Sequence, residues 1–277
     1  MLHIAINEYN LNAVKFLLEN NHDVNLPDSH GRTPLENACI TGNLELVQFL
    51  FRRGAILSTH IMRYAVESSR LSIVKFILDH GASFDRGLFI AASENWYHIV
   101  QHLLDHGDNP DNALSIAIEY DHCDIVELLL QYNANTERLD DDDRSPLHIA
   151  IEALSYGSVL LLLQAGAKPT SLQIAIAMED IPIIKLLLQF GGKILHGHLS
   201  YAMQNSSLSN ETIEFVLNEG VGHPAMIHAL GNLEHIKTFH QHGCDPKLIK
   251  DKDGVSVFQH AILRKDEPWA EYLLSNH

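Results

Sequence analysis

A glycine or an asparagine follows a run of apolar residues at nearly regular intervals, and this spacing constrains the fold more than any other feature of the chain. The nine positions are Asn21, Gly54, Gly81, Gly107, Asn133, Gly166, Gly191, Gly220 and Gly243. Both residue types tolerate the left-handed backbone conformation that ends a helix. The spacing therefore predicts nine helices that end in register, which is typical of a repeated helical unit.

A second, shorter helical pattern is centred on an alanine, which in most repeats lies sixteen residues before the stop. The alanines are Ala5, Ala38, Ala65, Ala91, Ala117, Ala150, Ala175, Ala202 and Ala261. A small central residue lets two helices approach closely, so each repeat is predicted to be a pair of packed helices. The eighth repeat has about two extra residues near Ser206, and the ninth has an irregular first helix because Gly243 implies Ile227 at the alanine position.

Three segments carry a turn motif before the first helix of their repeat. The clearest is Asp28-Ser29-His30-Gly31-Arg32-Thr33-Pro34-Leu35, and related copies occupy residues 141–150 and 251–261. These segments resemble the ankyrin repeat, whose units contain D-x-x-G-x-T-P-L-H-x-A. The resemblance implies an all-α solenoid of stacked antiparallel helix pairs with short β-hairpin-like fingers in the second, sixth and tenth repeats. It also implies that His3 and His148 are structural hydrogen-bonding groups.

The resemblance extends over essentially the whole chain, so we expect one domain of residues 1–277 with about ten repeats. Their predicted limits are 1–25, 26–58, 59–85, 86–111, 112–137, 138–169, 170–195, 196–222, 223–246 and 247–277.

Composition excludes several classes of function. The chain has 19 Lys and Arg against 35 Asp and Glu, a net charge of −16, and the acidic residues are spread over both halves. This balance disfavours nucleic-acid binding, which needs a basic surface. No apolar run approaches the roughly 20 residues that span a bilayer, and the N-terminus lacks the pattern of a signal peptide. The sequence therefore predicts a protein that does not bind membranes. We expect it in the cytoplasm, or in the host cytosol if it is a secreted effector.

The sequence contains no recognised catalytic motif and no CxxC spacing. Cys39, Cys123 and Cys244 lie far apart, and we expect Cys39 and Cys123 to be small buried groups. The sequence contains 19 histidines, several of which precede a helix stop or lie between paired helices, where the resemblance implies scaffold roles. Two sets could instead hold a metal: His98, His102 and His106 on one helix face, and His196, His198 and His223. We predict a monomer that is not an enzyme and has no cofactor and no metal.

In proteins that this chain resembles, the partner lies on a concave surface built from finger tips and from the last turn of each first helix. Acidic residues recur at those positions, although a carboxylate there opposes the helix dipole at a cost of about 0.3–1 kcal/mol. The predicted partner-binding residues are Glu8, Thr41, Glu67, Glu94, Glu119, Tyr120, Asp141, Asp142, Glu152 and Met178. We expect them to bind a basic or amphipathic segment of another protein.

Two alternatives stay open at this point. The chain could be the recognition or adaptor arm of a larger enzyme complex, including a pathogen protein that engages host machinery. It could also respond to metal or pH through its histidines.

Overall fold

The computed structural model describes residues 1–205, 208–220, 223–265 and 267–276, and the fold is helical. The helices are α1 (Leu2–Asn7), α2 (Leu11–Glu19), α3 (Pro34–Ile40), α4 (Leu44–Arg52), α5 (Ile61–Glu67), α6 (Leu71–Asp79), α7 (Gly87–Ser93), α8 (Tyr97–Asp105), α9 (Leu114–Glu119), α10 (Cys123–Gln131), α11 (Pro146–Glu152), α12 (Tyr156–Gln164), α13 (Leu172–Ala177), α14 (Ile181–Gln189), α15 (His196–Asn205), α16 (Asn210–Asn218), α17 (Leu233–Gln241), α18 (Val257–Leu263) and α19 (Pro268–Asn276). Short 3-10 helices span Pro110–Asn112 and His223–Ala229. Up to α16, each odd-numbered helix is the first of a pair and the next helix is the second, as the alanine and glycine patterns predict.

The chain divides into two compact bodies, an N-terminal body (Met1–Arg138) and a C-terminal body (Leu139–His277). In the N-terminal body the first helices α1, α3, α5, α7 and α9 pack in sequence against one another, and the second helices α4, α6, α8 and α10 do the same. In the C-terminal body α11, α13 and α15 continue this order and are followed by the second 3-10 helix. The all-α solenoid architecture is confirmed, while the single domain of residues 1–277 and its ten repeat limits stay predictions.

The nine predicted helix stops all have positive φ angles. The values run from 60° at Asn21 to 96° at Gly166. Most residues with a Cβ atom pay a steric cost in this region, whereas glycine pays none and asparagine adopts it more readily than other residues. The choice of Gly or Asn at each stop is therefore explained by the backbone geometry of the helix ends.

The central alanines lie in the core of the helix stack. Ala38, Ala65, Ala91, Ala117, Ala150, Ala175, Ala202 and Ala261 have no exposed surface. Leucine, isoleucine and valine side chains around them are equally buried, for example Leu50, Ile77 and Val126. Each pair thus buries its apolar surface against its neighbours, which is how a solenoid obtains a continuous core.

The three predicted fingers contain the same tight turn. In each, the first aspartate donates its backbone N–H to the carbonyl oxygen of the residue four positions later: Asp28 to Arg32, Asp140 to Arg144 and Asp251 to Val255. An isolated antiparallel bridge joins Lys250 to Ser256 in the third finger. The turns lead into first helices whose N-termini are capped by Thr33, Ser145 and Ser256.

The irregular ninth repeat is confirmed, because its first helix is the 3-10 helix His223–Ala229. The extra residues predicted near Ser206 lie outside the described residues. Within the described part of the chain, no helix has both the length and the apolar character needed to cross a bilayer.

Candidate partner-binding surface

Six of the predicted binding residues lie at the C-terminal ends of first helices in the N-terminal body. Glu67 and Glu119 are the last residues of α5 and α9, and Glu8, Thr41, Glu94 and Tyr120 immediately follow α1, α3, α7 and α9. All are exposed except Thr41, which is half-buried and donates its hydroxyl to the Ala38 carbonyl at 2.8 Å. We call Glu8, Glu67, Glu94 and Glu119 the acidic edge.

The other four predicted residues lie in the C-terminal body. Asp141 and Asp142 are exposed in the finger turn before α11, and Glu152 is the last residue of α11. Met178 follows α13 and is 41% exposed, so it belongs to the surface and not to the core.

Ion pairs reduce the negative charge of some carboxylates in both bodies. In the N-terminal body Arg63 donates its Nε–H to Glu67 Oε1 at 2.9 Å, one helical turn away. In the C-terminal body the Arg144 guanidinium contacts Asp140 at 2.8 Å and Glu152 at 3.1 Å, and it lies 3.8 Å from Asp142. The finger and the end of α11 therefore share one cation. The negative charges of Glu67 and Glu152 are therefore partly neutralised. The sequence analysis did not predict these ion pairs.

Glu8 and Glu94 differ from these paired residues. Among the described residues, neither side chain has a hydrogen-bond or ion-pair partner, and both are exposed. Their charges are available to another molecule.

A groove that the sequence reasoning also missed lies between α5 and α7. Arg63, Glu67, Arg86, Phe89 and Ile90 line it, and its volume is about 200 Å³. Glu67 is a member of both the acidic edge and the groove, so the two features are continuous. The i,i+4 spacing of Arg63 and Glu67 indicates an ion pair on one face of a helix. It is the sequence pattern from which this side of the groove could have been predicted.

The histidines that precede helix stops bond to their own helices. The ring Nδ1–H of His80, His106 and His242 donates to the carbonyl four residues earlier, at 2.6, 2.8 and 2.8 Å. His122, between α9 and α10, bonds through Nε2 to the Ser93 carbonyl at 3.1 Å. These contacts support the scaffold interpretation of these four residues.

Neither proposed metal set gains support from the geometry. Within the described residues, no three His, Cys, Asp or Glu side chains are grouped so that they could hold an ion. His102 Nε2 is buried without a hydrogen-bond partner, and burial, then His106 and Lys75, lower the pKa of His102. The His196 side chain, part of the second set, lies outside the described residues.

The cysteines differ in environment. Cys39 and Cys244 are buried, and burial raises the pKa of both thiols, to about 12 at Cys244, so they are poor nucleophiles. The expectation of a buried Cys123 was wrong. This residue is half-buried and lies at the first position of α10, where its Sγ is 3.5 Å from Asp121 Oδ1.

The first finger is held by a network that includes a motif histidine. Asp28 Oδ1 accepts backbone N–H groups from His30 and Arg32 at 2.8 and 3.0 Å. Asn37 donates its amide to Asp28 Oδ2 at 2.9 Å and to His3 Nδ1 at 2.8 Å, while His3 Nε2–H donates to the Leu26 carbonyl. The structural role implied for His3 is present, and it links the first two repeats.

Acid should weaken this network. The Asn37 hydrogen bond, followed by the backbone bonds, lowers the pKa of Asp28 from 3.8 to about 2. A lowered folded-state pKa stabilises the fold above the unfolded-state value, and this contribution is lost as the pH falls from about 4 to about 2. The stability difference between the wild type and Asp28→Asn in urea unfolding should therefore shrink over that range. Asp141→Asn, on the exposed tip of another finger, is the control and should have a small effect throughout. A difference for Asp28→Asn that stays constant with pH would contradict the assignment.

Comparisons with known proteins agree with this architecture. The family described as "Ankyrin repeats (3 copies)" matches residues 2–87 and 88–173. The chain is similar to the crystal structure of the ankyrin-repeat domain of Bcl-3, with 26% identity, a TM-score of 0.56, and 68% of this chain and 97% of that chain covered. The human ASB11 ankyrin-repeat domain has 23% identity and a TM-score of 0.59, with coverage of 70% and 98%, and shows the same fold.

Curated relatives match over shorter segments. A putative ankyrin repeat protein of Rickettsia bellii (strain RML369-C) is 39% identical over 61 residues, which are 22% of this chain and 37% of that protein. An ADP-ribosylation factor GTPase-activating protein of Arabidopsis thaliana is 32% identical over 94 residues, which are 34% of this chain but 11% of the relative. The chain thus spans only a small part of these relatives. Since the family match covers more than half of its residues, the protein belongs to the ankyrin-repeat family.

Proposed function

We propose that this protein is a non-enzymatic scaffold that binds a basic segment of a partner protein along the acidic edge. Ankyrin repeats form protein–protein interaction modules, and this coarser assignment follows from the family. The observation that supports the finer proposal is the pair of unpartnered carboxylates Glu8 and Glu94 at helix C-terminal ends. A carboxylate at such an end is unfavourable for its own helix, so local stability does not explain it.

Electrostatics favours a cationic partner. The net charge of −16 attracts basic molecules over distance, and the exposed carboxylates of the edge can then form short-range ion pairs. The exposed Tyr120 ring lies next to Glu119 and stacks on His122 with a centroid distance of 5.9 Å, so it offers an apolar face beside the charges. We further propose that the protein is a monomer without cofactor that acts in the cytoplasm and does not bind nucleic acid or membranes.

The C-terminal body can contribute to the same function. Asp141 and Asp142 offer exposed carboxylates, and Met178 offers a flexible apolar contact. Glu152 is the weaker candidate because Arg144 and His148 already contact it, at 3.1 and 3.4 Å.

The proposal is tested by reversing the two unpartnered charges. Glu8→Lys with Glu94→Lys should weaken a partner recovered by co-purification at least tenfold, because each ion pair becomes a repulsion. Affinity of the wild type should also fall as salt rises, since exposed charges are screened. Titration of the recovered partner by calorimetry measures both effects.

The control carries an equal change of net charge on another surface. Glu45→Lys with Glu127→Lys alters two exposed residues of the second helices α4 and α10 and should leave the affinity within about twofold. Equal losses in both double variants, or no loss in either, would show that the acidic edge is not the binding surface.

A further inference from the structure

The two helices that border the groove, α5 and α7, approach each other closely. Gly87 begins α7, and a Cβ atom at this position would lie only 2.7 Å from Met62 Cγ of α5. The absence of a side chain at Gly87 thus lets α5 and α7 come close together at the start of α7. Phe89 and Ile90, two and three residues further along α7, are half-buried and present apolar surface to the groove.

The two arginines of the groove have different side-chain partners. Arg63 is engaged by Glu67 at 2.9 Å. The Arg86 guanidinium lies over the Phe89 ring at 4.8 Å, and no carboxylate in the described part of the chain pairs with it. The adjacent Asp85 side chain faces His60 instead, at 3.4 Å. The Arg86 side chain is exposed, so its guanidinium can reach a carboxylate of another molecule.

The size of the groove favours a side chain over a small-molecule ligand. Its volume is about 200 Å³, whereas small-molecule sites usually enclose about 300–1,000 Å³. A leucine-like side chain can lie against Phe89 and Ile90, and a neighbouring carboxylate can then reach Arg86. Arginine held over an aromatic ring is suited to this role, because its planar group can bind both oxygens of a carboxylate.

We propose that this groove binds an aspartate or glutamate side chain of the partner, together with an adjacent aliphatic side chain. The inference rests on the proposed function and makes it more specific. The partner segment would combine basic residues that contact Glu94 and Glu8 with an acidic-aliphatic pair that occupies the groove. The shared position of Glu67 places the two recognition elements side by side.

The test uses a displayed library of random twelve-residue peptides, selected on the full chain. The wild type should enrich peptides that carry an acidic residue beside an aliphatic one. Selection on Arg86→Ala should lose that preference, while Arg52→Ala, an exposed arginine at the end of α4, should retain it. For an enriched peptide, Arg86→Ala and replacement of the peptide's acid by its amide should each reduce affinity at least tenfold. The two changes together should reduce it little further.

The outcomes separate this inference from the proposed function. Enriched peptides without acidic residues, no enrichment at all, or equal affinities for the wild type and Arg86→Ala would overturn the groove assignment. Loss of the preference for lysine and arginine on Glu8→Lys with Glu94→Lys tests the acidic edge independently. If only the acidic-aliphatic preference is observed, the groove assignment stands and the basic-segment proposal fails.

Discussion

Replacing Met62 by alanine should destabilise the N-terminal body by about 2–5 kcal/mol. Met62 is fully buried in α5, and its Cγ atom would meet any side chain placed at Gly87 of α7. Truncation removes apolar contacts and leaves a cavity that the surrounding helices cannot fully close. Urea unfolding, together with amide hydrogen exchange in α5 and α7, measures the loss. Met178→Ala is the control and should cost little, because Met178 is 41% exposed.

A double-mutant cycle makes this prediction specific to the helix contact. Gly87→Ala alone should cost about 1–3 kcal/mol, because the new methyl group overlaps Met62. In the Met62→Ala background the same methyl group occupies the vacated space, so the double variant should be more stable than the sum of the two losses implies. Strictly additive losses would mean that the two residues do not share this contact.

The Asn37→Ala variant should lose about 1–3 kcal/mol of stability, because a buried hydrogen-bond donor with two acceptors is removed. Asn37 is only 4% exposed, and it joins Asp28 of its own finger to His3 of the preceding repeat. Without it, Asp28 Oδ2 and His3 Nδ1 both lose a bond. The acid-sensitive difference between the wild type and Asp28→Asn should also shrink in this background.

The third finger supplies a matched comparison. His260 occupies the position equivalent to Asn37, one residue before the central alanine, and its Nε2–H donates to Asp251 Oδ2 at 2.8 Å. Asn37→His should therefore preserve the bond to Asp28 and cost less than Asn37→Ala. Thermal unfolding of the two variants at neutral pH decides the point, and equal losses would show that the contact to Asp28 contributes little.

The helix ends could be predicted from the sequence because the chemistry of one residue determines them. Gly54 and Asn21 tolerate a positive φ that most residues avoid, so their spacing marks the end of each second helix. The central alanines were equally informative, since close helix packing requires a small side chain there.

A second set of positive φ angles was not predicted from the sequence. It lies between paired helices, four residues after seven of the central alanines, at Tyr9, Gly42, Ser69, Asn95, Asp121, Leu154 and Glu179. Gly231 has the same spacing from Ile227, which takes the alanine position in the ninth repeat. Leu154 and Glu179 have no intrinsic preference for this conformation. Packing of the two helices imposes it, and such a tertiary constraint is not visible in a single sequence.

Part of the candidate site could likewise be predicted from the sequence, and part could not. The positions of Glu94 and Met178 at helix ends followed from the repeat spacing, and the structure places both residues there on the surface. The pairing of Glu152 with Arg144 was not predictable, because it depends on how a finger folds back towards the end of α11. The groove beside Arg86 likewise requires the close approach at Gly87.

The neighbour-to-neighbour order of the helix pairs has a consequence for how the protein folds. In both bodies the helix contacts run within a pair or between pairs that are close in the chain. Such contacts close short loops, so little chain entropy is lost before they form, and low contact order is associated with fast folding. Folding can begin in any well-packed pair and spread to the next one. Amide protection should therefore change gradually from one helix pair to the next within each body.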